Sequence, residues 1–285
     1  MKMMKIFIKG LGTTNRKIMI AVYLWLINSA FSALIVAPLY FMFKGDFSRS
    51  LMGEKLLKGS DLLWLGDLLY KHRNNWPSLL GSLIVTSFLF LLLYIFLNGG
   101  ILGSITSQEK KVCFSSFFSD CGKYFWRFLR VFLISIVSYA IIFLLLGKAI
   151  SSLLKIWTKS ASTEWPLILS SNLKFLLFIL LFSLVRMFFD YVRIRLVVEK
   201  SRKAIRATLL TFSFLKKRFW KAWSLYLTIA LISIFFLVIF LAVSSHFPGV
   251  MNLFLFSILW QQVYVFSRMW TKVLFFSTEF HLFIS

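Results

Sequence analysis

The chain has 285 residues, of which 59% are hydrophobic and 19% aromatic, and it carries a formal charge of +23. Soluble domains hold roughly 45 to 50% apolar residues, so a soluble globular protein is excluded and an all-α integral membrane protein is expected. That much Lys and Arg would point to nucleic acid in a soluble chain. Here basic cytoplasmic loops and attraction to anionic headgroups account for it, and no nucleic-acid partner is expected.

In chain order, residues 1–16 open with a short amphipathic piece around Phe7 and Lys9, then a breaker group at Gly10, Gly12 and Thr13 to Asn15 that can cap a following helix. The first span is expected over about residues 18–43, with Pro38 bending its far end. Small residues at Ser29 to Ala33 imitate a signal cleavage site. The apolar run is too long for a signal core of about 7 to 15 residues, so it reads as a retained span. Residues 44–77 form the longest polar connection, where Leu62, Leu65 and Leu69 recur at helical spacing and Asp61 to Tyr70 predicts a short helix on the outer leaflet.

The second span is expected over about 79–105, ending in Leu97-Asn98-Gly99-Gly100-Ile101-Leu102-Gly103, glycines that suit close helix packing. An aromatic and basic segment with Phe117, Phe118, Tyr124, Phe125 and Trp126 leads into the third span, about 127–147. It predicts an amphipathic helix lying flat at the headgroup boundary. Pro166 fits the first turn of the fourth helix, about 167–198, which overshoots a bilayer of about 30 Å. A second aromatic and basic segment, with Lys216-Lys217-Arg218, precedes the fifth span, about 223–243. A short turn at residues 244–249 joins it to the sixth, about 250–276.

Lys and Arg on the side of both termini number 23, against 10 on the other side. The bias predicts six spans with both termini cytoplasmic. The whole chain reads as one membrane domain. Cys113 and Cys121, eight apart, match neither a metal spacing nor a disulfide framework and are expected to be reduced. His72, His246 and His281 are scattered, the acids are few, and no catalytic, metal or cofactor motif is present, so no enzyme activity and no cofactor are expected.

Internal similarity organises the sequence. Setting Phe125-Trp126-Arg127 over Phe219-Trp220-Lys221 also aligns Phe118 with Phe212 and Lys123 with Lys217, and a looser copy opens the chain at Phe7, Lys9 and Arg16-Lys17. Three units of two helices each are therefore expected. With Leu63-Trp64-Leu65, the Leu97 to Gly103 run, Phe117-Phe118 through Tyr124 to Arg127, and Asp190-Tyr191-Val192-Arg193, the chain resembles a family of bacterial six-span integral membrane proteins of three two-helix repeats. It is also loosely similar to the membrane domain attached to some glycerophosphodiester phosphodiesterases. The resemblance implies no established activity and carries over no functional residue, and the phosphodiesterase chemistry is not expected here.

Two groups of residues are candidates for function. Lys123, Arg127, Arg130, Lys216, Lys217 and Arg218 are candidates for anionic lipid headgroups. Asn98, Arg186, Asp190, Arg193, Gln261, Gln262 and Arg268 are polar groups inside or at the ends of spans, where an ionisable residue is functional unless paired. Asp190 lies four after Arg186 and three before Arg193, so an ion network on one helix face is expected, with Arg127 or Arg130 as further partners. The expected function is a non-enzymatic membrane protein acting on membrane lipids, a membrane partner protein or a second copy. The alternative is a small transporter or permease-like subunit with Asn98, Asp190, Gln261 and Gln262 along a polar path.

Overall fold

A computed structural model describes residues 2–49, 70–71, 73–107, 109, 112–158, 165–201, 203–246 and 254–285. Among these residues the chain forms seven α-helices, one 3-10 turn at Arg73–Asn75 and no strand. The helices are α1 (Lys2–Arg16), α2 (Met19–Arg49), α3 (Trp76–Thr106), α4 (Phe114–Thr158), α5 (Trp165–Val198), α6 (Ala204–His246) and α7 (Phe254–Ile284). The outer-leaflet helix expected at Asp61 to Tyr70 lies, but for Tyr70, outside the described residues, as does the turn at residues 247–249.

Five stretches are long and apolar enough to cross a membrane: Met19–Pro38, Trp76–Thr106, Phe114–Ser152, Ile168–Val198 and Ala204–His246. In hydrocarbon a backbone must satisfy its own hydrogen bonds, which a continuous helix does. This is a helical, multi-pass membrane protein. Helix α7 is more polar, carrying Gln261, Gln262, Arg268, Lys272 and Glu279. It can do so because α1, α2, α3, α5 and α6 all pack against it, which buries Glu279 and half-buries Gln262 and Lys272 while Gln261 and Arg268 stay exposed.

Helices α3, α5 and α7 each touch the other two and form the centre. The start of α4 lies on α3, where Gly99, Gly100 and Gly103 face Phe117, Asp120 and Cys121 so closely that a Cβ on Gly100 would stand 2.5 Å from Cys121 Sγ. Helix α1 lies on α7, with Gly10 against Thr278. Lys17, buried between them, donates to the carbonyls of Ser104 and Ser107, the latter at 2.8 Å, and so caps the end of α3.

The segment expected to lie flat ahead of the third span is instead the first part of the unbroken α4, 45 residues long. Its apolar face explains this, since Phe117, Cys121, Tyr124 and Phe128 are buried against the protein and, of the aromatic residues there, only Phe114 and Trp126 stay exposed. The corresponding part of α6 is set off by non-helical backbone at Arg218 (φ −127°, ψ 19°). There the guanidinium donates to the Leu282 carbonyl at 3.3 Å and lies 5.3 Å from the Phe214 ring.

Candidate functional site

The centre of the bundle holds a group of charges drawn from separate helices. Arg186, Asp190 and Arg193 share one face of α5 at spacings of four and three. Arg193 Nη1 donates to Asp190 Oδ1, and Asp190 is buried. From α7, Lys272 places its ammonium 3.7 Å from the centre of the Tyr94 ring on α3, a desolvated cation–π contact. Glu279, two turns further along α7, is buried with neither carboxylate oxygen hydrogen-bonded. Its charge acts on Asp190, Arg186 and Arg193.

Arg186 forms no hydrogen bond or ion pair among the described residues, and the groups it acts on come from α3 (Tyr94), α5 (Asp190), α6 (Tyr226) and α7 (Glu279). Its side chain is nevertheless exposed, and Tyr94 is 37% exposed. Groups that draw on four helices and are still exposed at Arg186 and Tyr94 make this an open charged cluster rather than a sealed core. Tyr139 of α4 stands at its edge, stacked on Phe182 at 5.3 Å.

Tyr94, Arg186 and Lys272 each precede the last residue of their helix (Thr106, Val198, Ile284) by twelve positions. By the same count Asn98 and Asp190 stand eight positions before those ends, and Arg193 and Glu279 five. Asn98 is buried, and its side-chain oxygen has no hydrogen-bond partner. Asn98 lies on α3 and Arg186, Asp190 and Arg193 on α5, two of the three central helices, while the expected contact of Asp190 with Arg127 or Arg130 is not formed. Arg127 instead sits 5.5 Å from the Tyr124 ring, and Arg130 is exposed.

The glutamines part company. Gln262 accepts hydrogen bonds from Trp25 Nε1 at 2.9 Å and Ser29 Oγ at 3.1 Å, tying α7 to α2, whereas Gln261 is exposed and meets only Ser257 at 3.5 Å. Arg268 is exposed, 6.0 Å from the Tyr264 ring and one turn outward of Lys272. Lys272 and Glu279 were not singled out from the sequence, although Glu279 is an acid in an otherwise apolar helix end, and that was the available signal.

The basic surface residues frame two grooves. One, of about 710 Å³, runs between α5 and α6, with Leu184, Met187 and Phe188 as its floor and Lys216, Lys217, Arg218 and Lys221 along its rim at the α6 kink. The other, of about 700 Å³, lies between α4 and the start of α6 and joins Arg130, Lys203 and Arg206 to Leu133, Ile134 and Leu209. Lys123 is exposed, 5.3 Å from the Tyr124 ring, outside both. Cys121 is buried, and Cys113 is exposed. Among the described residues no three His, Cys, Asp or Glu side chains converge as metal ligands.

No protein-family model, no curated protein and no solved structure matches this chain.

Proposed function

We propose that this is a non-enzymatic, six-span protein of a bacterial inner membrane, built from three similar two-helix units with both termini cytoplasmic, and that it binds anionic membrane lipid at its cytoplasmic end. The repeat is supported by three equivalent contacts, α1 on α7, the start of α4 on α3 and the start of α6 on α5. Within the units, ring pairs join Phe31 to Phe90, Phe143 to Phe178 and Phe240 to Tyr264. The sixth span is α7, packed against its neighbours.

The lipid reading rests on the groove at the α6 kink. Its rim carries four cations and its floor is apolar, the combination that receives a phosphate headgroup above and an acyl chain below. Arg218 has a structural role through Leu282, so the test spares it. Protein carrying Lys216→Gln, Lys217→Gln and Lys221→Gln together is purified from mixed phosphatidylglycerol and phosphatidylcholine, and the retained lipid is weighed by native mass spectrometry. Each juxtamembrane cation contributes about 1 kcal/mol, so retention of phosphatidylglycerol should fall about tenfold or more. Retention equal to that of the unmodified protein overturns the reading.

A second reading, a small transporter or permease-like subunit, is favoured by one observation, the cluster of charges from α5 and α7 around Arg186 and Lys272, open at Arg186.

A further inference from the structure

The central charge cluster and the groove at the α6 kink share no residue, and the cluster has its own chemistry. Three cations, Arg186, Arg193 and Lys272, surround two carboxylates, Asp190 and Glu279, so the cluster carries one positive charge in excess. Asp190 is committed to Arg193. That leaves the Arg186 guanidinium with no hydrogen-bonded acceptor, and the Lys272 ammonium on the Tyr94 ring. The carboxylates of Asp190 and Glu279 favour the Arg186 charge from a distance but accept none of its N–H groups, and charged groups inside a bundle pair with one another or mark a binding path. One further anion would balance the cluster, and Arg186 has its planar donors free to take it.

The way to Arg186 is apolar. On the same face of α5, Phe182 and Ile179 lie one and two turns outward, and both are 50% exposed. On α7, Arg268 is exposed one turn outward of Lys272, where it adds positive potential at the entrance. An inorganic anion would have to cross that apolar stretch without water, whereas an amphiphile brings its own chain to cover it.

We propose that Arg186 and Lys272 form the headgroup site for one anionic amphiphile, a fatty carboxylate or an alkyl phosphate, whose chain lies along Ile179 and Phe182. The site is distinct from the groove at Lys216 to Lys221 and stands or falls independently of it.

The test uses the full chain in nanodiscs of phosphatidylcholine, with oleate, dodecyl phosphate and uncharged dodecanol as probes and native mass spectrometry for stoichiometry and affinity. One oleate or one dodecyl phosphate per chain is expected, with dodecanol binding at least about tenfold more weakly. Binding of oleate alone assigns a carboxylate, and binding of dodecyl phosphate alone assigns a phosphate. Arg186→Gln and Lys272→Gln should each weaken binding about tenfold or more, Lys272→Arg should keep it, and the Lys216, Lys217 and Lys221 triple variant should leave it unchanged. Glu279→Gln supplies the check that a merely structural site fails. It removes a neighbouring negative charge at constant shape, so binding is kept or tightened. Equal affinity for dodecanol, absence of both anions, retention in folded Arg186→Gln and Lys272→Gln proteins, dependence on the surface lysines, or loss in Glu279→Gln each overturns the proposal.

Discussion

Along α3, every residue from Leu97 to Ile105 is buried, whereas Leu80, Ile84, Val85, Phe88 and Leu89 on the same helix are exposed. The other helices repeat the contrast. Helix α5 is buried around Met187 to Val197 and exposed around Ile168 to Ile179, and α7 is buried around Val273 to Leu282 and exposed at Ile258, Leu259 and Val263. The half at the C-terminal ends of α3, α5 and α7, called inner below, is thus a packed protein core, and the other, called outer, is a set of apolar helices facing lipid. Lipid tails are as apolar as leucine, so association in a bilayer draws on packing and hydrogen bonds rather than on hydrophobicity. Glycines, buried caps and charges are found where that packing occurs, and the outer half has little of it.

The largest expected effect sharpens this contrast at two phenylalanines. Phe128 is 1% exposed and Phe175 is 68% exposed. Phe128→Ala should cost about 3 kcal/mol, the low end for a buried aromatic because lipid replaces part of the transfer term. Phe175→Ala should lie within about 0.5 kcal/mol of the parent. Thermal unfolding in one detergent measures both, and equal shifts would dissolve the distinction between the halves.

A middling effect comes from two glycines of α3. A Cβ on Gly100 meets Cys121 Sγ at 2.5 Å and the Phe117 ring at 2.7 and 2.9 Å, while one on Gly81 meets nothing within 4 Å. Gly100→Ala should therefore destabilise by about 1 to 3 kcal/mol through overpacking. Gly81→Ala should be neutral or should stabilise by up to about 1 kcal/mol, because glycine is a poor helix residue. A stabilised Gly100→Ala protein would mean that α4 does not approach α3 as closely as the structure places it.

How much of this could be read in advance depends on whether a feature is local. The helices, their basic ends and the Asp190–Arg193 pair follow from composition and from spacing along one helix, and all three are visible in the residues. The Leu97 to Gly103 run announced close packing, but not that its partner would be the aromatic segment of α4. For the same reason Phe117 and Tyr124 read as headgroup anchors, since an amphipathic face looks alike whether it meets lipid or protein. Only α3 packed on that face decides for protein. The central charges were half legible. Arg186 and Asp190 stand out on one helix, but Lys272 and Glu279 gain meaning only when α7 is set beside α5, a long-range contact that no spacing encodes.

The smallest effect tests whether the inner half also includes the N-terminal helix. His281 Nε2 lies 2.8 Å from Thr13 Oγ1, at the rim of a basic hollow that holds Lys9, Arg16 and Lys17. Burial, and then the nearby charge of Lys9, push the His281 pKa below its ordinary 6.5. The folded protein then binds this proton less readily than the unfolded chain. Stability from this group is complete above about pH 6.5 and falls as the pH drops from there towards the lowered folded value. The thermal midpoint should accordingly decline on acidification through that window, and His281→Asn, which keeps a donor for Thr13, should flatten the decline. Parallel pH profiles for the two proteins would place the acid sensitivity elsewhere and would leave α1 held on α7 by Gly10 against Thr278 and by the Trp270 Nε1 hydrogen bond to Asn15.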